Sequence, residues 1–263
     1  MKRIVFAATL AALAMTPALA ADMLVKKAPP PAPVPAWSWT GFYAGLNVGG
    51  GWANTDWFED VSGSGGGGPP GFHDGSVNSS GVIGGGQIGF DYQRGWAVFG
   101  IQADADAAGI RGSASCFPQV AMTVQSCSTK IDSLGTVTGR FGAAFDRTLY
   151  YVLGGFAWEH ERLNNPATFA GTPGVLFNPE FSGTRAGATV GAGLERSLSG
   201  NWSVFVQYNY MGFGRRALVF HETNPAALAL GALPFTEIIR EDVHVIKAGI
   251  NYRFNWGVPY AAK

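Results

Sequence analysis

Lys247-Ala248-Gly249-Ile250-Asn251-Tyr252-Arg253-Phe254 decides how the rest of this chain is read. Successive side chains of a strand point to opposite faces, so Ile250, Tyr252 and Phe254 share one face and Lys247, Gly249, Asn251 and Arg253 the other. One face is apolar and ends in aromatics; the other is polar and carries a glycine. Such a strand suits a wall with lipid on one side and a polar interior on the other.

The opposite end of the chain is consistent with export. Lys2 and Arg3 precede an apolar run from Ile4 to Met15, and Ala18-Leu19-Ala20 has the small residues of a signal-peptidase site. Residues 1–20 therefore read as a signal peptide, and the mature chain is expected to begin at Ala21. The apolar run is too short to span a bilayer as a helix, and no later segment approaches eighteen apolar residues. A membrane protein without such a helix must be a closed barrel, because only helices and closed barrels satisfy their backbone in lipid. In that setting Lys247, Gly249, Tyr252 and Phe254 form a C-terminal assembly signal of the kind that outer-membrane barrel-folding machinery recognises.

Composition narrows the class without naming a partner. The chain has 18 basic and 18 acidic residues, and removal of Lys2 and Arg3 leaves 16 against 18, a net charge of −2. No basic stripe argues for nucleic acid. Glycine is abundant at 38 residues, with 8 Trp, 8 Tyr and 18 Phe. Glycine weakens helices, and glycine with aromatics at regular turn spacing reads as all-β. Two cysteines, Cys116 and Cys127, are expected to form a disulfide closing a surface loop. No nearby His or Cys completes a metal site, and no cofactor is expected.

Residues 21–40 form a lead-in with Pro29, Pro30, Pro31, Pro33 and Pro35, followed by Trp37 and Trp39. Proline at this density favours extended polyproline II, which reads as a periplasmic spacer. From Gly41 to Phe254 eight amphipathic segments follow, near 41–54, 80–93, 95–108, 131–146, 148–162, 183–198, 201–215 and 241–254. Gln93-Arg94-Gly95, Asp146-Arg147 and Ser199-Gly200-Asn201 are tight turns, and the other four connections span about 18 to 26 residues. Short and long connections alternate, as they do when short turns face the periplasm and long loops face outside. The N-terminus then lies in the periplasm and residues 255–263 form a tail.

Side-chain parity sorts the charges. Phe42, Ala44, Leu46, Val48 and Trp52 share one face of the first strand, Ala97, Phe99, Ile101, Ala103 and Ala105 one face of the third, and Trp202, Val204, Val206, Tyr208 and Tyr210 one face of the seventh. The opposite faces carry Asn47, Gln87, Asp91, Asp104, Asp106, Arg140, Glu159, Arg185, Glu195, Gln207, Asn209, Lys247 and Arg253. A lipid-facing Lys or Arg at the midplane costs roughly 2–4 kcal/mol, which this arrangement avoids. The charged face also holds Gly45, Gly49, Gly89, Gly187, Gly191 and Gly249, as a narrow lumen crowded by long side chains requires. In the fifth segment Tyr150 and Tyr151 leave the register ambiguous; Glu159 and Glu161 are expected inside.

The chain resembles the small OmpA-like outer-membrane β-barrels of alphaproteobacteria, the RopB-type porin family that includes Brucella surface antigens. The likeness lies in the Ala-Asp start after cleavage, the proline-rich lead, the stretch Trp39-Thr40-Gly41-Phe42-Tyr43-Ala44-Gly45-Leu46-Asn47-Val48-Gly49-Gly50, and the terminal Gly249-Ile250-Asn251-Tyr252-Arg253-Phe254. The residues past Phe254 and the cysteine pair depart from the family pattern. The resemblance implies an eight-stranded antiparallel transmembrane β-barrel in contact with lipid bilayer, lipopolysaccharide and barrel assembly machinery, with loops open to host or surface ligands.

Several motifs carry no chemistry here. Gly84-Gly85-Gly86-Gln87-Ile88-Gly89 matches a nucleotide fingerprint but leads into a turn and a strand rather than a helix. Gly187 and Gly191 match a helix-packing motif, yet their segment holds Arg185 and Glu195. His160 beside Glu159 and Glu161, and His244 beside Glu241 and Asp242, would be the candidates for a hydrolase, but no serine stands at strand spacing from either. Enzyme activity is not expected. The interior set of Asp91, Asp104, Asp106, Glu159, Glu195, Arg140, Arg185, Lys247 and Arg253 reads either as a pore lining or as a plug. Near-balanced charge and the narrow interior of eight strands favour the plug, and with it a structural surface protein. The alternative is a narrow diffusion porin for small ions and solutes. A third reading, hemin binding, follows from related Bartonella proteins and would use His73 in a glycine-rich first loop (Gly63, Gly65–Gly68, Gly71) or His221 near the apolar run Ala226–Leu233 of the fourth.

Overall fold

A computed structural model describes residues 37–60, 69–117, 123–169 and 177–254. The signal peptide, most of the lead-in, Gly63, Gly65–Gly68 and the tail 255–263 lie outside these. Eight long strands form the wall: β1 (Gly41–Glu59), β2 (His73–Arg94), β3 (Ala97–Cys116), β4 (Thr123–Phe145), β5 (Thr148–Asn164), β7 (Pro179–Ser197), β8 (Trp202–Glu222) and β9 (Phe235–Phe254). A short β6 (Ala167–Phe169) pairs with the start of β4, and a single helical turn, α1 (Pro225–Ala229), follows β8. Every long strand is antiparallel to both neighbours. β1 pairs with β9, placing Asn47 opposite Gly249, and that pairing closes the ring. This is the eight-stranded antiparallel barrel expected from the sequence.

The tight turns owe their form to left-handed residues. Gly95 (φ +62°), Asp146 (φ +52°) and Gly200 (φ +62°) each adopt the positive φ that a twisted hairpin turn needs. The other end differs from expectation, because its connections shrink to 60–72, 117–122, 165–178 and 223–234. The strands run 17 to 23 residues, far beyond the roughly 9–11 needed to cross hydrocarbon. Chain that reads as loop by composition is therefore barrel wall standing clear of the lipid.

The lipid-facing surface is a band between aromatic girdles. Phe42, Leu46, Val48 and Trp52 of β1 are 49–67 % exposed, and Phe99, Ile101, Val206, Ile250 and Phe254 continue the band around the ring. At about 3.3 Å per residue and a tilt of roughly 40°, the stretch from Phe42 to Trp52 rises about 25 Å, the height of an outer-membrane band. At the tight-turn edge Phe42 packs on Phe90 at 4.8 Å, Phe99 on Phe141 at 5.1 Å and Trp202 on Tyr252 at 5.0 Å between centroids. Beyond Trp52 and Trp158 the outer face turns polar, with Asp56, Arg111, Lys130, Arg162, Arg240 and Asp242.

The interior holds more apolar side chain than its charge pattern suggests. One belt joins Ala53, Ile83, Ile110, Ile131, Leu134, Ala157, Met211, Phe213, Val243 and Val245, drawn from seven of the eight long strands. A second, nearer the loop end, joins Trp57, Val77, Cys116, Phe117, Cys127, Leu163, Leu218, Phe220 and Ile239. At the tight-turn end Trp39 is fully buried with Val98, Leu149, Tyr151 and Leu153. Most of these residues keep the alternation of their strands, but Cys127, Ile131, Leu218 and Phe220 do not, because bulges switch parity. The register slips between Ile131 and Ser133 in β4 and between Gly212 and Gly214 in β8, after which the opposite set of side chains points inward.

The cysteines illustrate the consequence. Cys116 and Cys127 are disulfide-bonded, but the bond is not in a surface loop: Cys127 is 0 % and Cys116 5 % exposed, both within the second apolar belt. Cys116 keeps the inward parity of Asp104 and Asp106, while the β4 bulge turns Cys127 inward to meet it. Their separation of 11 residues predicts a stabilisation of about 2–3 kcal/mol on the loop-entropy account. Replacing both with Ser is expected to lower the unfolding free energy of the refolded barrel, read from urea titration, by that amount while leaving its heat-dependent gel mobility shift. An unchanged midpoint would show that strand pairing alone already constrains this hairpin.

Candidate functional site

The charged residues of the interior lie in layers stacked along the barrel axis. Nearest the tight turns, Arg253 and Arg140 face Asp91 and Glu195. Arg253 Nη2 is 2.9 Å from Asp91 Oδ2 and 3.8 Å from Glu195 Oε1, and Arg140 Nη2 pairs with Glu195 Oε2. Arg140 also donates to the Tyr43 hydroxyl at 3.0 Å, lies 3.7 Å from Asp91 and sits 3.7 Å over the Tyr151 ring. Ser203 and Asn251 donate to Glu195 at 2.6 and 3.0 Å. Arg253 Nη1 donates to the carbonyl of Trp39, whose own amide donates to Gln93 at 2.8 Å. The last residues of the lead-in thus become the floor of the interior.

A relay of amides and hydroxyls extends from this layer. Tyr43 donates to Gln102, Gln102 and Tyr151 both donate to Gln207, and Gln207 donates to Asn209, at 2.7–3.2 Å. Above them Lys247 Nζ lies 2.9 Å from Asp104 and 3.4 Å from Asp106, and Thr136 donates to Asp104 at 2.6 Å. The first apolar belt follows. Beyond it Arg185 Nη1 binds Glu161 at 3.2 Å and Glu241 at 3.1 Å, with Glu159 in the same cluster and Thr55 donating to Glu241 at 3.1 Å. The second apolar belt and then Glu59, Asp74 and Glu237 complete the stack.

Every residue of the interior charge set occupies this stack. Asp91, Glu159, Glu195 and Arg253 are 0 % exposed, Arg185 and Lys247 1 %, Asp106 2 %, and Asp104 and Arg140 3 %. The fifth strand places Tyr151, Glu159 and Glu161 inside and Tyr150 outside. Glu241 is an interior residue beyond the expected set, and its odd number puts it with Lys247 and Arg253. Tyr43, Tyr151, Gln102 and Ser203 were also missed; they read as aromatic or neutral polar residues until strand register brings them to the arginines.

The four residues expected to form a C-terminal assembly signal occupy distinct places in the folded barrel. Lys247 is the cation of the second layer, and Tyr252 and Phe254 face outward with their rings 5.1 Å apart. A Cβ on Gly249 would meet the Phe205 ring at 2.7 Å and the Leu46 carbonyl at 2.1 Å, so glycine is required there by packing as well.

The histidine candidates come apart. Adjacent residues of a strand face opposite sides, so His160 lies outside, against Thr184 at 3.2 Å, while Glu159 and Glu161 lie inside. His244 likewise faces out and meets the Tyr208 hydroxyl at 2.8 Å, with Glu241 buried behind it. His73 is the first residue of β2 rather than a loop residue, 3.0 Å from Ser76 and 3.7 Å from Asp56. His221 lies on β8, with β1 and β9 between its strand and that of His73. The apolar run after it begins in α1 and continues past it to Leu230 and Leu233, both more than 80 % exposed.

Comparison with known proteins agrees with this geometry. A family model described as the outer membrane protein beta-barrel domain matches residues 6–254. The chain is 31 % identical to the 31 kDa outer-membrane immunogenic protein of Brucella melitensis, over 95 % of this chain and 99 % of that one. It is 27 % identical to the 25 kDa outer-membrane immunogenic protein of Brucella abortus, over 90 % of this chain and 91 % of the relative. Among solved structures, the outer membrane protein OprG of Pseudomonas aeruginosa covers 82 % of this chain and 98 % of its own with a TM-score of 0.44 and 11 % identity. Neisserial surface protein A covers 82 % and 98 % with a TM-score of 0.34 and 12 % identity.

Proposed function

We propose a structural and surface-display role, with a closed interior, for this chain, which belongs to the outer membrane protein β-barrel domain family. It is an outer-membrane β-barrel surface protein; the finer reading is that it reinforces the envelope and meets host or environment through its loop end. The tight turns and the N-terminus face the periplasm, and the loop end projects outward. The projection of the strands past the lipid band supports this orientation.

One observation carries the closed interior. The charged lumen side chains are buried, most of them ion-paired or hydrogen-bonded within layers, and the layers are separated by two apolar belts. A diffusion pore needs a continuous wetted path, and an apolar constriction opposes one by dewetting. Trp39 beneath Arg253 closes the tight-turn end in the same way. His160 and His244 face outward while Glu159, Glu161 and Glu241 face inward, and the proposal assigns no catalysis.

The test is single-channel current from the refolded mature protein in a planar bilayer, with folding checked by heat-dependent gel mobility. Silence from a folded sample is the expected result. Reproducible open steps would overturn the closed reading and make the chain a narrow porin.

A further inference from the structure

We propose that Glu59, Asp74 and Glu237 bind a calcium ion inside the loop end of the barrel, across the seam where the first and last strands close the ring. Glu59 is the last residue of β1 and stands directly opposite Glu237 on β9, in the last pair of that ladder. Like charges placed directly opposite one another destabilise a sheet, and here both residues are also buried, at 0 % exposure. A backbone irregularity brings in the third carboxylate. Trp57 pairs with Gly75 and Phe58 with His73, so Asp74 is the extra residue of a bulge in β2. Its even number would otherwise set it outward with Val82 and Ile88; the bulge turns it inward, where it is 1 % exposed. One oxygen from each of the three residues falls in a group no wider than 4.8 Å.

No cation among the described residues neutralises Glu237. Neither of its carboxylate oxygens has a hydrogen-bond partner among them, and the charges that act on it, from Glu59, Asp74 and Asp60, share its sign. The connecting segments 61–68, 118–122 and 170–176 contain no Lys, Arg or His. Burying a carboxylate without a partner is costly, and buried charges are paired or coordinate metals. The other buried group of three, Glu159, Glu161 and Glu241, differs in having Arg185 paired to two of its members.

The donor set selects the ion. Three carboxylates, with no imidazole or thiolate among them, suit a hard cation. Calcium holds oxygens at about 2.3–2.6 Å, so donors on opposite sides of one ion stand about 5 Å apart, close to the width of this group. Magnesium needs about 2.0–2.1 Å in a near-ideal octahedron and gives up its waters reluctantly, which suits it less to a buried cluster. The backbone fixes the donors in advance. Phe117 N–H donates to the Asp74 carbonyl at 2.9 Å, next to the disulfide-bonded Cys116, and Glu59 N–H donates to the Phe72 carbonyl at 2.9 Å. Trp57 and Ile239 of the second apolar belt lie two residues below Glu59 and Glu237 on the same faces of their strands. A calcium ion held by Glu59 and Glu237 ties β1 to β9 at the point where their charges would otherwise push the ring open.

The experiment is equilibrium dialysis of the refolded mature chain against radioactive calcium, with magnesium as competitor, in detergent free of lipopolysaccharide so that the protein supplies the only carboxylates and phosphates. One calcium per chain is expected, with a Kd of roughly 10⁻⁴–10⁻³ M, the range of extracellular calcium modules, and magnesium about tenfold weaker or more. Saturating calcium should also raise the urea midpoint, since the ion binds the folded site and not the unfolded chain. Glu237→Gln and Asp74→Asn are each expected to weaken calcium binding tenfold or more and to abolish the midpoint shift. Both should keep the heat-dependent gel mobility shift, because each removes a negative charge from a cluster of like charges. Absence of bound calcium in the folded wild type, equal competition by magnesium, or wild-type calcium affinity in either folded variant would overturn the site; the wild-type measurement decides even where a variant fails to fold.

Discussion

Glu195→Ala is expected to destabilise the barrel by about 3–5 kcal/mol, the usual cost of removing one partner from a buried charge network. Glu195 accepts from Arg140, Ser203 and Asn251 and lies 3.8 Å from Arg253, all in a layer that water does not reach. Without it, two guanidinium groups share Asp91, and Arg140 sits 3.7 Å from that carboxylate rather than in direct contact. The double variant Arg140→Met with Glu195→Leu should lose less, because Arg253 and Asp91 remain a matched pair and apolar replacements leave no charge behind. Urea midpoints of the detergent-refolded proteins provide the comparison. A single variant with the wild-type midpoint would mean that water reaches this layer and solvates the arginines, contrary to a sealed interior.

The parts of this arrangement that sequence made legible follow from one property, the period of two in a strand. Asp104 with Asp106, Arg185 with Glu195, and Lys247 with Arg253 keep one parity, because each pair lies on a stretch without a bulge between its members. The tight turns were legible for a similar reason: Gly95 and Gly200 supply a backbone conformation that few residues reach cheaply. The second apolar belt was only partly legible. Leu218 and Phe220 share parity with the outward Trp202 and Val206, and only the bulge at Gly212–Gly214 turns them inside. Composition misled about the loops as well, since polar outer faces beyond the lipid look like loop when they belong to a wall in water. The partners of Arg140 could not be found from sequence at all, because Tyr43, Glu195 and Asp91 reach it from three other strands whose relative stagger depends on register.

Asp104→Lys separates the closed barrel from a pore. Lys247 lies 2.9 Å from Asp104 and 3.4 Å from Asp106, so the substitution would put a second ammonium beside the first with one carboxylate between them. In a dry layer this leaves a cation uncompensated and removes the acceptor of the Thr136 hydroxyl, at an expected cost of about 3–5 kcal/mol. Asp104→Asn should behave differently. It keeps the shape and an oxygen for Thr136, and it balances the layer at one Lys against one Asp, so its cost is expected to stay near 1 kcal/mol. A water-filled lumen predicts another pattern: screening would make the Lys variant nearly as stable as the Asn variant, and its bilayer currents would shift toward anions. A large gap between the two midpoints, with both proteins electrically silent, is the outcome that a sealed barrel requires; equal midpoints with reversed ion preference would sink it.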